Sequence, residues 1–256
     1  MSMSNFLFNR ANTTSKWMYE EEEIQYHRLL KEGIISKIDD HDIDYTFNNK
    51  GYRCDNFTDE SELPIVFLGC SMTEGMGVKL EHLWSSHVLQ NIRKATGKKI
   101  PHWSFAIAGG GFDDQIRLLY ELSQRISIKH VYGLFPSITR REYKYNDNEY
   151  KLWISGQNNC EYINRVFADQ DYAEYQVYRS LMILECLRQS FNFKITISTW
   201  VQYTESTEIY KNFSNIKYLK PLIGDFDRAR DQSHYGPEYH LALSKYMWEN
   251  SKENYD

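Results

Sequence analysis

The sequence has no long apolar segment. No run approaches the roughly 20 consecutive apolar residues that a membrane-spanning helix needs. Residues 1–17 also lack the order of basic and then apolar residues that is typical of a secretory signal. We therefore expect a protein that has no membrane span and resides in the cytoplasm.

Cysteine is scarce and scattered. The four cysteines stand far apart, without a Cys-x-x-Cys pair or a cluster of Cys and His. This spacing does not match zinc sites or disulfide frameworks, and the histidines other than His234 show no metal-ligand spacing among themselves. We therefore predict reduced thiols, no bound metal and no cofactor. The cysteines are Cys54, Cys70, Cys160 and Cys186.

Positive charge is also limited. The chain has 30 basic and 35 acidic residues, which gives a net charge of −5, and it contains no strongly basic block. Because nucleic-acid-binding proteins concentrate Lys and Arg on one face, we do not expect a nucleic-acid partner. Aromatic residues make up 15% of the chain. They stack on sugar rings but also fill cores, so they favour a carbohydrate ligand only weakly.

Residues 1–62 differ in pattern from the rest of the chain and are interpreted as an N-terminal extension. A helix is predicted over residues 15–35, where apolar residues recur at near-helical spacing. The acidic residues 20–23 are predicted to form a solvated face of this helix. Residues 48–51, Asn-Asn-Lys-Gly, stand between aromatic residues and predict a tight turn or hairpin. The apolar positions of the helix are Trp17, Ile24, Leu29 and Leu30.

Residues 63–256 are interpreted as one domain in which short apolar segments alternate with helix-like segments. Five alternations predict an α/β fold of three layers, with a doubly wound parallel sheet covered by helices on both faces. A polar connection is expected over residues 137–170. The predicted strands are 65–69, 100–108, 129–135, 193–199 and 216–219, and the predicted helices are 81–97, 112–126, 172–190 and a last one from Pro237.

Three short segments carry residues that could do chemistry. They are Gly-Cys-Ser-Met-Thr after the first predicted strand, Ala-Gly-Gly-Gly after the second, and Asp-Gln-Ser-His before the last helix. Parallel sheets bind ligands beyond the carboxyl ends of their strands. A nucleophilic serine needs a base, and the base needs a group that orients it. Ser71, His234 and Asp231 supply these three types.

At these segments the sequence resembles the SGNH or GDSL-like hydrolases. The first block of that family is Gly-Asp-Ser after an apolar strand, and residues 66–73 match it with Cys70 in place of Asp. The last block is Asp-x-x-His before a Pro or Gly turn and a helix, which residues 231–248 fit. The second block is a glycine after the second strand, represented here by Gly109. The resemblance covers residues 64–250 and implies a flavodoxin-like sheet.

The resemblance also implies roles for individual residues. Ser71 would be the nucleophile, His234 the general base and then the general acid, and Asp231 the partner that orients His234. The backbone N–H groups of Ser71 and Gly109 would form part of an oxyanion hole.

The third block of the family, Gly-x-Asn-Asp after the third strand, is not preserved. It supplies an Asn side chain to the oxyanion hole, whereas this chain has Gly-Leu-Phe-Pro-Ser-Ile-Thr-Arg at 133–140. Ser137, Thr139 or Arg140 could substitute, and a guanidinium would be a strong donor. The same change also fits a relative that has lost efficient catalysis.

Other interpretations of the first block stay open. Ser71 could be a small residue at a tight turn, or Cys70 could act with a histidine, because thiolates are the better nucleophiles. Residues 73–77 resemble a phosphate-binding loop but lack the Gly-Lys-Ser/Thr ending. Glu74 is expected to line the rim of the site or to cap a helix.

A second, smaller resemblance lies in the N-terminal extension. Residues 48–53, Asn-Asn-Lys-Gly-Tyr-Arg, are similar to an Asn-x-x-Gly-Tyr/Phe-Arg stretch that precedes the first block in hydrolases with such an extension. The expected function is hydrolysis of an ester through an acyl-serine, with a small acyl group such as acetyl on a carbohydrate. The alternative is a binding or structural module of the same fold with impaired catalysis.

Overall fold

The N-terminal segment, defined as residues 10–35 and 42–56, contains one helix between two short paired strands. The computed structural model describes residues 10–35, 42–56, 63–138, 140–146, 149–153, 169–200 and 209–255. Strand β1, Thr14–Ser15, pairs antiparallel with strand β2, Tyr45–Thr46. Helix α1 lies between them in the sequence and spans Glu20–Lys31.

Helix α1 is shorter than the predicted helix over residues 15–35, since Thr14–Ser15 belong to β1. Its first turn, residues 20–23, consists of glutamates, whose negative charge is favourable near the positive end of the helix dipole. The predicted tight turn at residues 48–51 is confirmed. The Gly51 amide donates to the Asn48 carbonyl at 2.9 Å, and the Asn48 side chain accepts two further amides of the same turn.

The prediction of a solvated acidic face is wrong for Glu22. This residue is 2% exposed. Its Oε1 accepts hydrogen bonds from the Tyr45 hydroxyl at 2.7 Å and the Arg230 guanidinium at 2.8 Å, and its Oε2 accepts the Met18 amide at 2.8 Å. Ile24, assigned to the apolar stripe, is 60% exposed instead. The charged side chain of Glu22 on α1 is therefore buried, because the guanidinium of Arg230 forms an ion pair with it.

A five-stranded parallel sheet forms the centre of the remaining described chain. The strands that follow β2 are β3, Ile65–Gly69; β4, His102–Ser104; β5, His130–Phe135; β6, Arg141–Asn146; β7, Glu149–Trp153; β8, Lys194–Thr199; and β9, Lys217–Leu219. The order across the central sheet is β4-β3-β5-β8-β9, and every pair is parallel. This is the flavodoxin-like, doubly wound order, so the predicted fold class is confirmed.

Helices cover both faces of this sheet. They are α2, Ser71–Glu74; α3, Trp84–Thr96; α4, Phe112–Ser123; α5, Gln170–Phe191; and α6, Pro237–Glu249, with short 3-10 turns at Leu80–His82 and Lys252–Asn254. Helices α4 and α5 pack on one face, and α3 and α6 on the other. Along β3, Val66 and Leu68 join the first core, whereas Ile65 and Phe67 join the second. Both faces are buried, so the strand is a continuous apolar run.

Two segments depart from the predicted elements. The second strand was expected over residues 100–108, whereas β4 spans His102–Ser104. The flanking residues Pro101, Phe105 and Ile107 each make a single further backbone hydrogen bond to β3. The polar connection expected over residues 137–170 contains the antiparallel hairpin β6–β7. Because this hairpin lies outside the central sheet, its strands are not enclosed between two helical layers, and their sequence lacks the apolar run of a central strand.

No helix within the described ranges is long and apolar enough to cross a membrane, and the cytoplasmic location stays a prediction. Cys54, Cys70 and Cys186 are free thiols, whereas Cys160 lies outside the described residues. The domain boundary predicted after residue 62 also falls at a stretch that is not described, so the division into 1–62 and 63–256 stays a prediction.

The pair between Glu22 and Arg230 predicts a large effect on stability. Glu22→Ala leaves a buried guanidinium without its counter-charge, and breaking such a pair costs about 3–5 kcal/mol. We expect a loss of this size in the free energy of unfolding, measured by urea denaturation. Glu21→Ala, on the exposed side of the same turn, is the matched control and should change the free energy by less than about 0.5 kcal/mol. Equal effects of the two variants would contradict the prediction.

Candidate active site

Ser71 stands where β3 ends and the short helix α2 begins. Strand β3 lies between β4 and β5, where the strand order reverses, and the crevice beyond such a point is where doubly wound sheets bind ligands. Gly69 is required at this close turn, because an added Cβ would lie 2.2 Å from Thr73 Oγ1 and 2.6 Å from the Leu134 carbonyl oxygen. The first residue of α2 is thereby brought to the carboxyl edge of the sheet.

Ser71, His234 and Asp231 form one hydrogen-bonded row. His234 Nε2 lies 2.7 Å from Ser71 Oγ, and His234 Nδ1 lies 2.5 Å from Asp231 Oδ2. An ionised carboxylate can only accept a hydrogen bond, so Nδ1 donates to it and leaves Nε2 of the neutral ring to accept the serine proton. The three residues singled out by the sequence motifs therefore meet, although 163 positions separate Ser71 from His234.

The loop before α6 gives Asp231 its environment. Asp231 Oδ1 accepts the amides of Ser233 and His234, each at 3.1 Å. Burial acts to raise the pKa of the Asp231 carboxyl, but the hydrogen bonds and charge of His234 outweigh burial and lower this pKa below its usual range. Asp231 therefore stays ionised at neutral pH and can stabilise an imidazolium. Gln232, inside the turn, takes a positive φ of 56°.

The loop after β4 approaches the first block through Glu74. The amide of Ala108 donates to Glu74 Oε2 at 2.7 Å, and Glu74 is the last residue of α2. Gly109, which follows Ala108, has a φ of 81°, a conformation that favours glycine. Gly109, whose amide is expected to donate to an oxyanion, is thus adjacent to Ala108, which is hydrogen-bonded to α2, the helix that begins at Ser71.

The segment after β5 brings Arg140 toward the same edge. The Arg140 guanidinium lies 5.9 Å from the ring centroid of Trp200, and Trp200 Nε1 donates to Cys70 Sγ at 3.3 Å. Arg140 is thereby connected to the first block through one indole ring. The Ser137 carbonyl accepts the Arg140 amide at 3.2 Å, and Thr139 lies outside the described residues.

Cys70 is enclosed by protein. It is 0% exposed, and its Sγ lies 3.9 Å from Ser71 Oγ. A reactive cysteine is ordinarily partly exposed and electropositive in its surroundings, whereas this thiol accepts an indole N–H. The environment is that of a packing residue and disfavours a Cys–His pair.

Two supporting residues were missed or misplaced by the sequence motifs. Arg53 donates to the carbonyls of Glu74, Gly75 and Val78, at 3.0, 2.6 and 2.8 Å, and so caps the carboxyl end of α2. The signal for Arg53 was the Asn-x-x-Gly-Tyr-Arg stretch. Glu74 was expected to line the rim of the site or to cap the following helix. It is buried, and its carboxylate accepts hydrogen bonds from Arg10, Tyr19 and the Ala108 amide instead, so both expectations are wrong.

The loop at residues 73–77 does not offer its amides to a phosphate. The Gly75 and Met76 amides donate to the Ser71 carbonyl, the Gly77 amide donates to the Tyr45 hydroxyl, and the Val78 amide donates to the Gly75 carbonyl. A phosphate loop needs free amides pointing at the ligand. In the part of the chain that the structure describes, no group of three or more His, Cys, Asp or Glu side chains could hold a metal ion.

Comparison with known proteins finds solved structures of the same fold. No protein-family model matches the chain, and no curated protein matches its sequence. Among solved structures, a carbohydrate esterase, whose active site is described as having divergent catalytic and non-catalytic binding functions, matches at 10% identity with a TM-score of 0.51. That match covers 77% of this chain and 66% of the esterase.

TesA matches at 12% identity and a TM-score of 0.50, over 75% of this chain and 99% of TesA. The psychrotrophic esterase EstA from Pseudoalteromonas sp. matches at 14% identity and a TM-score of 0.49, over 75% of this chain and 98% of EstA. At such low sequence identities, structural similarity is evidence for the fold alone. The chain shares an α/β fold with the carbohydrate esterase and TesA, and this is the fold class that its resemblance to the SGNH or GDSL-like hydrolases implied.

The burial of Cys70 predicts a difference in thiol reactivity. Cys186 is exposed and Cys70 is enclosed, so iodoacetamide should modify Cys186 in the native protein and reach Cys70 only after unfolding. Peptide mapping by mass spectrometry measures both, and Cys186→Ser removes the fast label as a control. Rapid labelling of Cys70 in the folded protein would show that the thiol is open to solvent and would restore the Cys–His interpretation.

Proposed function

We propose that the protein is a serine ester hydrolase that acts through an acyl-serine intermediate. The observation that carries this proposal is the hydrogen-bonded row from Asp231 through His234 to Ser71 at the carboxyl edge of the sheet. The fold, which the chain shares with a carbohydrate esterase, agrees with it.

In the first half-reaction Ser71 Oγ attacks the ester carbonyl carbon. His234 Nε2 takes the hydroxyl proton, and the carboxylate of Asp231 stabilises the imidazolium that forms. The tetrahedral intermediate then collapses, the bond between the carbonyl carbon and the alcohol oxygen breaks, and His234 gives its proton to the departing alcohol. The acyl group remains on Ser71.

The second half-reaction regenerates the serine. A water molecule attacks the acyl carbon while His234 Nε2 takes one of its protons. The intermediate collapses, the bond to Ser71 Oγ breaks, and His234 returns the proton to Ser71. The acid leaves, and no redox partner or cofactor enters the balance.

The developing oxyanion needs donors. In this proposal they are the backbone N–H groups of Ser71 and Gly109 and the side chain of Arg140, which takes the role of the missing third-block Asn. One such donor is worth about 3–4 kcal/mol in a hydrolase. Arg140 is favoured because Trp200 connects it to Cys70, the neighbour of Ser71.

For the substrate we favour a small acyl ester, with an acetyl group on a carbohydrate as the first class to test. The resemblance of the motifs and the fold shared with a carbohydrate esterase support this choice. The rate with p-nitrophenyl acetate should exceed that with p-nitrophenyl decanoate, and acetylated oligosaccharides should release acetate. A preference for the long chain would redirect the proposal to lipid esters.

A second candidate function is a binding or structural module of the same fold with impaired catalysis. It is favoured by one observation, the lack of an Asn in Pro-Ser-Ile-Thr-Arg at 136–140. The two candidates differ in turnover, so the same assay separates them.

Ser71 is expected to be the labelled and essential nucleophile. A fluorophosphonate should label it covalently, and Ser71→Ala should abolish labelling and lower kcat for p-nitrophenyl acetate by at least about a thousandfold, because triad members act as a unit. Cys70→Ala is the matched control and should retain activity within severalfold. Absence of both labelling and turnover in the unaltered protein would favour the binding module. Labelling that persists in Ser71→Ala would contradict the proposed mechanism.

Arg140→Ala is expected to lower kcat by about a hundredfold to a thousandfold, the effect of losing one oxyanion donor. KM should change little, because the contact strengthens only as charge develops on the oxygen. Arg179→Ala, which removes an exposed arginine on α5, is the control and should leave kcat unchanged. If Arg140→Ala folds normally and keeps the full rate, Arg140 has no part in the oxyanion hole.

A further inference from the structure

Glu74 joins three parts of the molecule through one buried carboxylate. It is 1% exposed. Its Oε2 accepts hydrogen bonds from the Ala108 amide at 2.7 Å and the Tyr19 hydroxyl at 3.0 Å. Its Oε1 accepts a hydrogen bond from the guanidinium of Arg10. The serine helix, the loop after β4 and the N-terminal segment thus meet at this side chain.

The position of Glu74 relates it to the proposed oxyanion hole. Ser71 and Glu74 are the first and last residues of α2, a single turn. Ala108 directly precedes Gly109, and the Gly110 amide closes the turn by donating to the Ile107 carbonyl at 2.9 Å. A bond from Glu74 to the Ala108 amide therefore sets how far this turn lies from Ser71.

The N-terminal segment makes this arrangement possible. An isolated carboxylate in a dry interior is strongly disfavoured, and Arg10 supplies the counter-charge. Arg10 is itself held in place by the N-terminal segment. Its Nε donates to the Gly51 carbonyl at 3.1 Å, and its Nη1 donates to the Tyr19 hydroxyl at 2.8 Å. Its guanidinium carbon lies 4.2 Å from the centroid of the Phe47 ring. The cation is therefore fixed where Glu74 needs it.

We propose that Glu74 is a positioning residue of the candidate active site. It holds the Ala108–Gly109 turn at the distance from Ser71 at which the Gly109 amide can donate to the oxyanion, and the ion pair with Arg10 holds the Glu74 carboxylate in place. This inference rests on the proposed function, since positioning has a catalytic consequence only if Ser71 forms a tetrahedral intermediate. The N-terminal segment thereby becomes part of the site's construction.

A purely structural ion pair would have different consequences. Its loss would lower stability and reduce the folded fraction, and the folded molecules would keep their kcat. A positioning role instead predicts a lower kcat in fully folded protein with KM within about threefold, because a donor to the oxyanion acts in the transition state. The split between kcat and KM separates the two roles.

The test uses two substitutions of Glu74 and one control. Glu74→Ala removes the acceptor for the Ala108 amide, and we expect kcat to fall by about a hundredfold or more, comparable with loss of one oxyanion donor. Glu74→Gln keeps an acceptor oxygen without the charge and should recover at least tenfold of that loss. Leu187→Ala is the control. Leu187 is a core residue near the end of α5, just before β8 begins, and so lies at the edge of the sheet opposite the candidate site. This variant should lower stability and leave kcat unchanged.

A second readout does not depend on turnover. Amide hydrogen exchange, followed by NMR, should show the Ala108 amide protected in the unaltered protein and at least tenfold faster in Glu74→Ala, with no such local change in Leu187→Ala. If Glu74→Ala does not fold, the double variant Arg10→Met/Glu74→Met is measured in its place, because it removes the acceptor for the Ala108 amide and leaves no buried charge unpaired. The same fall in kcat and the same faster Ala108 exchange are expected.

The outcomes separate the two proposals. Full kcat and unchanged Ala108 exchange in folded Glu74→Ala, or in the double variant, with fluorophosphonate still labelling Ser71, would overturn the positioning role and leave the esterase intact. No turnover in the unaltered protein, with loss of Ala108 protection in Glu74→Ala, would overturn the esterase and support Glu74 as the residue that holds the turn.

Discussion

A carboxylate that has lost contact with water must find a cation, and this requirement ties the N-terminal segment to the rest of the molecule. Glu22, on α1, meets Arg230, the residue directly before Asp231. Arg10 meets Glu74, three residues after Ser71. Glu22–Arg230 joins the segment to the loop before α6, and Arg10–Glu74 joins it to α2 and the loop that follows. Because removal of either partner leaves a charge buried and alone, the segment and the two loops are energetically coupled.

The order of the strands explains why those loops come together at all. Strands β3 and β5 are neighbours, and the chain continues from β3 to β4 on one side and from β5 to β8 on the other, so the two connections leave in opposite directions. Ser71 follows β3, Gly109 follows β4 and Arg140 follows β5, and one edge of the sheet gathers all three. The loop before α6 then places His234 and Asp231 against Ser71. Residues far apart in sequence become neighbours through topology, with distances set by side-chain hydrogen bonds.

The sequence predicts most of the sheet and the hydrogen-bonded row, because apolar runs and short motifs are local signals. It fails where the deciding partner is remote. Glu22 looks like part of a solvated acidic turn, and only Arg230, 208 positions later, makes its burial possible. Glu74 looks like a rim residue for the same reason, since Arg10 and Ala108 are distant in sequence. The hairpin β6–β7 was missed because strands outside the central sheet need no long apolar run.

The two departures from the SGNH-like pattern contact the same residue, Trp200. Cys70 stands where the SGNH-like pattern has Asp, and Arg140 follows β5 in the segment that lacks the third-block Asn. Trp200 contacts both, since its Nε1 donates to Cys70 Sγ and its ring centroid lies 5.9 Å from the Arg140 guanidinium. A thiol at a position without solvent exposure avoids the desolvation cost that a carboxylate would meet there. The indole N–H needs a buried acceptor, which the sulfur supplies, and its ring offers a cation a favourable face. Each change is therefore accommodated by the same aromatic residue at the carboxyl edge of the sheet.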